Sequence, residues 1–420
     1  MSERSGLDED MAQGLSEVPT SDGLAGPAVR RARAWLSRAA EPGSVAFWRF
    51  VEDVGPVDAV RRLRSGRAPD AVRALVGARA GQDASLTDLL RAERCGARLV
   101  VPEDDEWPAH LLHCLTLATG EEPDDPRHHS PRTTAPVPPL ALWIRGAARL
   151  DELADRSVAL VGARASTAYG EHVAGELGHQ LGERGWTVVS GGAFGIDAAA
   201  HRGALAADAP TVAVLACGVD RPYPAAHGAL FHRIAESGLL VSEWPPGAAP
   251  HKHRFLVRNR LIAALTRGTV VVEAAARSGA QATARRAQKL GRQVMVVPGP
   301  VTSAMSVGCH ELLREAELGA VLVTNAAQVV ELVGRLGEDL ADPPERPSGP
   351  RDELSDLAVR VLDACPVRNG VSPERLARVA GCDVLDVLRV LPALELADLV
   401  EATDAGWRLA RPRRTGEGRG

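Results

Sequence analysis

The sequence predicts an α/β protein whose core is a doubly wound parallel sheet, and two observations carry that prediction. From Ser157 onward, short apolar runs of four to six residues alternate with helical segments: SVALVG, WTVVSGG, TVAVLACG, GLLVSEWP, GTVVVEAA and QVMVVPG. Apolar runs of that length without polar alternation read as strands buried on both faces, which is the situation of a parallel sheet covered by helices. Four of these runs also end in glycine or small polar residues just before a helix. They are VGARAST, SGGAFGID, ACGVDRPYP and EAAARSGAQATA. Open α/β sheets bind ligands outside the carboxyl ends of their strands, so those tips are where function is expected.

Taken in order, residues 1–25 are polar and Gly/Ser-rich and are expected to be disordered. Residues 26–100 place apolar side chains three and four apart (ARAWLSRAAEP, VAFWRFVEDVGPVDAVRRLRSG, PDAVRALVGARA, SLTDLLRAERCGA), with Gly or Pro between segments, and predict a helical N-terminal domain. The segment GPVDAVRRL could suggest a helix-hairpin-helix-like backbone clamp, but ordinary packing is the favoured explanation. Residues 101–334 form the sheet domain, beginning with an extended piece at 98–102. A Pro-, acid- and His-rich loop follows over 117–139, and PLALWIRG reads as a strand. Helices are expected from Gly170, over IDAAAHRGALA, over 225–237, from Asn259 and from Ala280. Residues 335–352 are a Pro/Gly/charge-rich linker. Residues 353–410 carry three helical patterns (354–364, 373–380, 383–396) and then LVEATDAGWRLA, a winged-helix-like outline. Its third helix holds one arginine among four acids (Asp383, Asp386, Glu395, Asp398), unlike a helix that reads a major groove, so this module is expected to bind protein or to be accessory. Residues 411–420 read as a disordered tail.

Composition narrows the function classes. No apolar run approaches the ~20 residues a bilayer span needs, and MSERSGLDED has no signal-peptide pattern, so a cytoplasmic location without membrane attachment is expected. The cysteines (Cys95, Cys114, Cys217, Cys309, Cys365, Cys382) show no metal-ligand spacing, and no metal or cofactor is expected. There is no G-x-x-x-x-G-K-[ST] loop, and SGGAFG is not the dinucleotide fingerprint.

Charge supplies the functional lead. The chain carries a formal net charge of −5, yet between Lys252 and Arg292 it holds Lys252, Arg254, Arg258, Arg260, Arg267, Arg277, Arg285, Arg286, Lys289 and Arg292 against the single acid Glu273. The β-branched run Thr269–Val272 lies inside this stretch, so it is folded rather than a basic tail. A folded cationic face suits a polyanion, because released counterions add entropy to Coulomb attraction. A solvated charged face is the plainer alternative. Lys252, Arg254 and Arg258 suit phosphates. Asn259 suits a helix cap or a base edge, and Phe255 suits base stacking or a core anchor. A charged groove with a stacking ring is how single strands are held with little sequence preference. At the strand tips, Arg164, Ser166, Gly191, Gly192, Ser278 and Thr283 complete the candidate site, since glycines let backbone N–H groups approach an anion beside a helix start. Asp197 and His201, four apart, read as a structural hydrogen bond or an acid–base pair. Glu273 reads as an ion-paired structural acid, and Cys217 as a small buried residue.

The motifs VGARASTAYG, SGGAFGIDAAAHRGAL, TVAVLACGVDRPYPAAH, VSEWPPGAAPHKHRFLVRNRLIAALT, VVVEAAARSGAQATA and GRQVMVVPG with GCHELL, in unbroken order over about 105–330, resemble the DNA-processing protein A (DprA/Smf) family. The resemblance implies an extended Rossmann-like domain that binds single-stranded DNA, dimerises, and helps load RecA while displacing single-strand-binding protein, in natural transformation or recombination, without catalytic turnover. Carried over by position, it implies a phosphate pocket of Arg164, Gly191, Gly192, Lys252, Arg258, Asn259, Ser278 and Thr283, with Phe255 on a base. The chain departs from the family pattern at Leu256–Val257 (usually a Pro after the Phe), at His227 and His310 (usually Asn), and at Gln281–Ala282 (usually Leu-Ile). The rival expectation is an enzyme on a nucleotide-derived ligand, such as a Rossmann-like phosphoribohydrolase. That class needs a P-G-G-x-G-T-type loop followed by a glutamate, and SGAQATA supplies neither.

Overall fold

A nine-stranded sheet forms the centre of the larger, N-terminal unit, in the order β1-β2-β6-β5-β4-β3-β7-β8-β9. The computed structural model describes residues 25–121, 135–335 and 354–410, with Gly337, Asp339 and Arg351 between them. The remainder of the expected disordered termini and linker lies outside the described residues. The strands are β1 (Ala97–Val100), β2 (Leu142–Arg145), β3 (Ser157–Val161), β4 (Thr187–Ser190), β5 (Thr211–Leu215), β6 (Leu239–Ser242), β7 (Gly268–Val271), β8 (Gln293–Val296) and β9 (Val321–Leu322). Strands β3 to β9 pair in parallel, whereas β1–β2 and β2–β6 are antiparallel. The sheet is therefore doubly wound as expected, but with an antiparallel edge. PLALWIRG runs against β6 because its successor, the short helix α7 (Leu150–Asp155), must deliver the chain to the start of β3.

The chain winds outward from β3 through β4 and β5 to β6, then crosses back to β7 on the other side of β3. That reversal leaves a crevice above the carboxyl ends of β3 and β7, where an open α/β sheet places its ligand. Side chains alternate between two cores. Ala159, Val161, Val212, Val214 and Val271 face α6 (Ala109–Glu121), α11 (Lys252–Ala264), α12 (Gly279–Lys289) and α13 (Val307–Arg314). Val158, Leu160, Val188, Val270 and Val272 face α8 (Ala168–Glu183), α9 (Ile196–Ala206) and α14 (Ala326–Val333). Nearer the β1 edge the second face is closed by α10 (Gly228–Ser237), with Phe231 and Ile234 against Trp143 and Leu240. Both faces are dry, which is why the strand sequences lack polar alternation.

Helices α1 (Pro27–Ala39), α2 (Val45–Val54), α3 (Pro56–Arg64) and α4 (Asp70–Val76) gather around Trp35, Phe47, Phe50 and Leu63, and α5 (Ser85–Arg94) follows them. They also reach the sheet, since Ala34 and Ala92 share a cluster with Leu99 and Trp143. Contacts group residues up to Asp342 as one unit and those from Pro343 as another. The second unit holds α15 (Asp356–Ala364), α16 (Pro373–Ala380) and α17 (Val384–Leu396), followed by a hairpin of β10 (Val400–Thr403) and β11 (Gly406–Leu409). Val361, Leu376, Val387, Leu391 and Leu394 form its core.

Two sequence expectations give way. Helix α6 runs through Glu121, into the segment read as a loop from 117, because Leu112 and Leu115 bury against the sheet. Helix α11 begins at Lys252, a full two turns before Asn259. Its N-cap position is His251, with no side-chain cap, so the usual Ser/Thr/Asp/Asn marker of a helix start is missing.

Candidate nucleic-acid interface

An open cleft of about 320 Å³ occupies the crevice at the winding reversal. Its walls come from the loop after β3 (Gly162, Arg164), the loop after β4 (Ala193), two turns of α11 (Phe255, Arg258, Asn259) and the start of α12 (Ser278, Gly279, Thr283). Of the expected site residues, Arg164, Phe255, Arg258, Asn259, Ser278 and Thr283 are thus brought together.

Arg258 sits at the floor, 4% exposed. One guanidinium nitrogen donates to the Val214 carbonyl, and its Nε has no hydrogen-bond partner. Among the described residues no carboxylate lies within ion-pair distance of it. Burial pulls its pKa down to about 10, opposed by the field of Asp197, so it remains a cation at neutral pH. A buried, incompletely bonded cation is costly unless a ligand completes it. Burial raises the Asp197 carboxyl pKa despite the nearby arginine. That carboxylate accepts from the Gly191 and Ala193 amides at 3.2 and 3.3 Å.

Arg164 is exposed and stands over the Phe255 ring at 5.1 Å, and Phe255 in turn meets Tyr223 edge-on at 5.9 Å. The ring is held from both sides with part of its surface open. Asn259 lies within α11 and lines the cleft, and its side-chain amide makes no hydrogen bond among the described residues. Ser278 caps α12 by accepting from the Ala280 amide at 3.2 Å, and Thr283 bonds back to the Gly279 carbonyl at 3.3 Å. The first turn of α12, positive by its unpaired N–H groups, opens onto the cleft. Lys252 lies one turn before Phe255, exposed at the start of α11 and on the same edge of the sheet as Arg164.

Other expectations are corrected. Arg254 turns away from the cleft and binds Glu41 at 2.6 and 3.1 Å while stacking on Trp244 at 5.4 Å; Glu41 also accepts from the Trp244 indole at 3.0 Å. It is a strap between the α1–α2 turn and α11. Gly191 does not offer its N–H to a ligand, since Asp197 takes it; the residue is glycine because a Cβ there would overlap the Arg258 guanidinium. Gly192 adopts φ +66° and lies buried against the Phe231 ring. Ser166 donates to Glu171 at 2.8 Å and helps fix the β3–α8 turn. Glu273 is not ion-paired: it accepts from the Thr167 amide at 2.9 Å and the Thr167 hydroxyl at 2.7 Å. Asp197 and His201 do not bond to one another; His201 meets the Thr211 hydroxyl at 2.8 Å.

Most of the basic stretch is spent on the fold. Arg260 is fully buried on Glu243 at 2.5 and 2.7 Å, Arg267 binds Asp155 at 2.8 Å, and Arg285 binds Glu315 at 2.9 Å. Arg286 and Arg292 donate to the Leu256 and Leu111 carbonyls at 2.7 and 2.8 Å. What remains in the cleft lining is the exposed Arg164 and the recessed Arg258, while Lys252 and Arg277 are exposed on neighbouring segments. The departures from the family pattern are also legible. His227 contacts the Gly192 carbonyl at 3.0 Å, His310 the Gly299 carbonyl at 3.1 Å, and Gln281 holds the Ala276 carbonyl at 3.1 Å, so each steadies a strand-tip loop.

Among the described residues, no cluster of three or more His, Cys, Asp or Glu side chains is placed to hold a metal ion, and no helix is long and apolar enough to cross a membrane. Cys217 is buried as expected, and burial pushes its thiol up to about 11.

Comparison with known proteins identifies the family. Residues 98–334 match the family described as DNA recombination-mediator protein A. A putative DNA processing protein DprA of Mycobacterium tuberculosis is 49% identical over 381 residues, which is 91% of this chain and 94% of that protein. The Escherichia coli protein Smf is 36% identical over 69% of this chain and 77% of its own length. The X-ray structure of DNA processing protein A from Streptococcus pneumoniae superposes with a TM-score of 0.57 at 29% identity, covering 74% of this chain and all of that one. With a family match over most of the sheet unit, a relative aligned almost end to end, and the same doubly wound architecture, the chain belongs to the DNA recombination-mediator protein A family, the DprA/Smf proteins.

Proposed function

We propose that this chain is a single-stranded-DNA-binding recombination mediator that acts as a homodimer, helps load RecA onto the strand, and carries out no chemical turnover. The observation that carries the DNA reading is Arg258: a buried cation without an ion-pair partner, at the floor of a cleft rimmed by Arg164 and the Phe255 ring. A phosphate of a sugar–phosphate chain would complete its hydrogen bonding, and the open top admits a continuous strand. Lys252, Asn259, Ser278 and Thr283 join this proposed contact set. Arg254, Ser166, Gly191 and Gly192 support it from behind.

Family membership supports the recombination role, and the RecA and homodimer parts of the reading rest on that kinship alone. The rival reading, a phosphoribohydrolase-type enzyme, needs a carboxylate free to work at a sugar. Here Asp197 holds two backbone amides, Glu273 holds Thr167, and His201 is fully buried against Thr211. The winged-helix-like C-terminal unit is read as an accessory or protein-binding module, consistent with its acidic α17.

The test is the double charge reversal Arg164→Glu with Lys252→Glu. Both side chains are exposed and neither forms an ion pair among the described residues, so folding should be intact by circular dichroism and thermal melting. Each lost phosphate contact is worth about 0.7 log unit near 0.1 M salt, so two neutralisations cost roughly 25-fold and reversal more. Unchanged affinity in oligonucleotide gel shifts would place the site elsewhere.

A further inference from the structure

The exposed aromatic rings are confined to one rim. Among the described residues the markedly exposed ones are Tyr169, Phe194 and Tyr223, on the segments that follow β3, β4 and β5. In a chain with 3% aromatics this placement is specific. Tyr169 has a structural task, since its hydroxyl donates to the Pro298 carbonyl at 2.6 Å. Phe194 and Tyr223 have none of that kind.

Phe194 is 48% exposed, next to the cleft-lining Ala193. It is nonetheless held in place. Its ring meets His227 edge-on at 4.5 Å, His227 is fixed to the Gly192 carbonyl at 3.0 Å, and the imidazole rests against Phe231 at 6.2 Å. Tyr223 is 47% exposed and leans on Phe255, which carries Arg164 on its face. A rigid ring with a face in water is what stacking requires: little entropy is left to lose when a flat partner arrives. Arg221, exposed two residues before Tyr223, adds a cation for the backbone that such a partner would carry. The strands behind these loops are neighbours in the order β5-β4-β3-β7. At ~4.8 Å per strand that row spans roughly 14 Å, continuous with the cleft.

We propose that Phe194 and Tyr223 form a stacking ledge for nucleobases, which extends the single-strand path from the phosphate cleft across the carboxyl ends of β4 and β5. The inference rests on the reading of the cleft as a single-strand site and adds where the strand goes next. Base stacking on a protein ring is sequence-tolerant, so the ledge would bind pyrimidine and purine tracts alike.

The experiment uses the full chain with Phe194→Leu, Tyr223→Leu and the double variant, which keep apolar bulk and remove the π face. Binding is measured to an oligothymidylate of about four nucleotides, to one of about twelve, and to an abasic strand of the longer length. Each ring is expected to contribute about tenfold, so the double variant loses about 100-fold on the longer base-bearing strand. The abasic strand should bind the double variant, and the short strand the Phe194→Leu variant, as they bind the unmodified protein. Unchanged affinity for the longer strand, or an equal loss on the short or abasic strand, would overturn the ledge. Failure of the unmodified protein to bind any strand would instead overturn the reading of the cleft on which the ledge rests.

Discussion

Acidification should weaken the sheet unit through His201. The imidazole is fully buried between α9 and β5. The Thr211 hydroxyl donates to the Val188 carbonyl at 2.7 Å, so His201 Nδ1 must carry the proton it gives to Thr211. Nε2 is buried with no partner, and protonating it would create an unbonded N–H inside the core. Burial, with the fields of Arg258 and His227, lowers its pKa from 6.5 to about 3. The unfolded chain therefore takes up this proton first. The contribution to stability is complete above about pH 6.5 and is lost as the pH falls toward the folded value. At about pH 5 the loss is about 1.5 pKa units, or about 2 kcal/mol. Urea unfolding followed by tryptophan fluorescence at about pH 7.5 and about pH 5 reads it directly, because Trp186 reports on this core. The comparison is with His201→Gln, whose stability at neutral pH will differ but whose pH slope should be flatter by that about 2 kcal/mol. Equal pH dependence in the two proteins would refute the assignment of a neutral, buried His201.

Two further substitutions probe the support of the cleft. Gly191→Ala places a methyl group onto the Arg258 guanidinium, which is itself enclosed, so a loss of about 1–3 kcal/mol in denaturant unfolding should accompany weaker oligonucleotide binding. Glu243→Gln leaves the Arg260 charge in a dry site with its carboxylate gone, and should cost about 3–5 kcal/mol, whereas Glu243→Leu with Arg260→Met should recover most of that loss in thermal melts.

The sheet was legible because its strands are buried on both faces. Runs such as TVAVL and SVALV carry no polar residue in the middle to mislead, and the strand-to-helix order predicts the winding. The crevice follows from that order, and Arg164 and Ser278 are assigned to it as strand-tip residues, whereas Phe255 and Arg258 are assigned from the basic stretch and the family resemblance. The charge pattern was less informative. Arg254 and Arg260 are both in α11, yet one meets Glu41, 213 positions away, and the other Glu243, 17 away. Which arginine is free depends on carboxylates that only the tertiary fold brings near, so a count of positive residues overstated the face. Helix α11 was begun too late because His251 offers no capping side chain. Phe194 went unnoticed because one aromatic in a glycine-rich loop is normally buried. The chain's chosen glycines misled in another way: Gly191 and Gly192 serve close approach of Arg258 and Phe231 rather than of an anion.

As a proposed cationic site for a single strand, the cleft is tested most directly by a salt titration. Binding of single- and double-stranded oligonucleotides should be followed from low to moderate ionic strength. Arg164, Lys252 and Arg258 engaging three phosphates predict a log–log slope of about −2 for single strands, with weaker binding of the duplex. A flat salt dependence, or a preference for the duplex, would contradict the account.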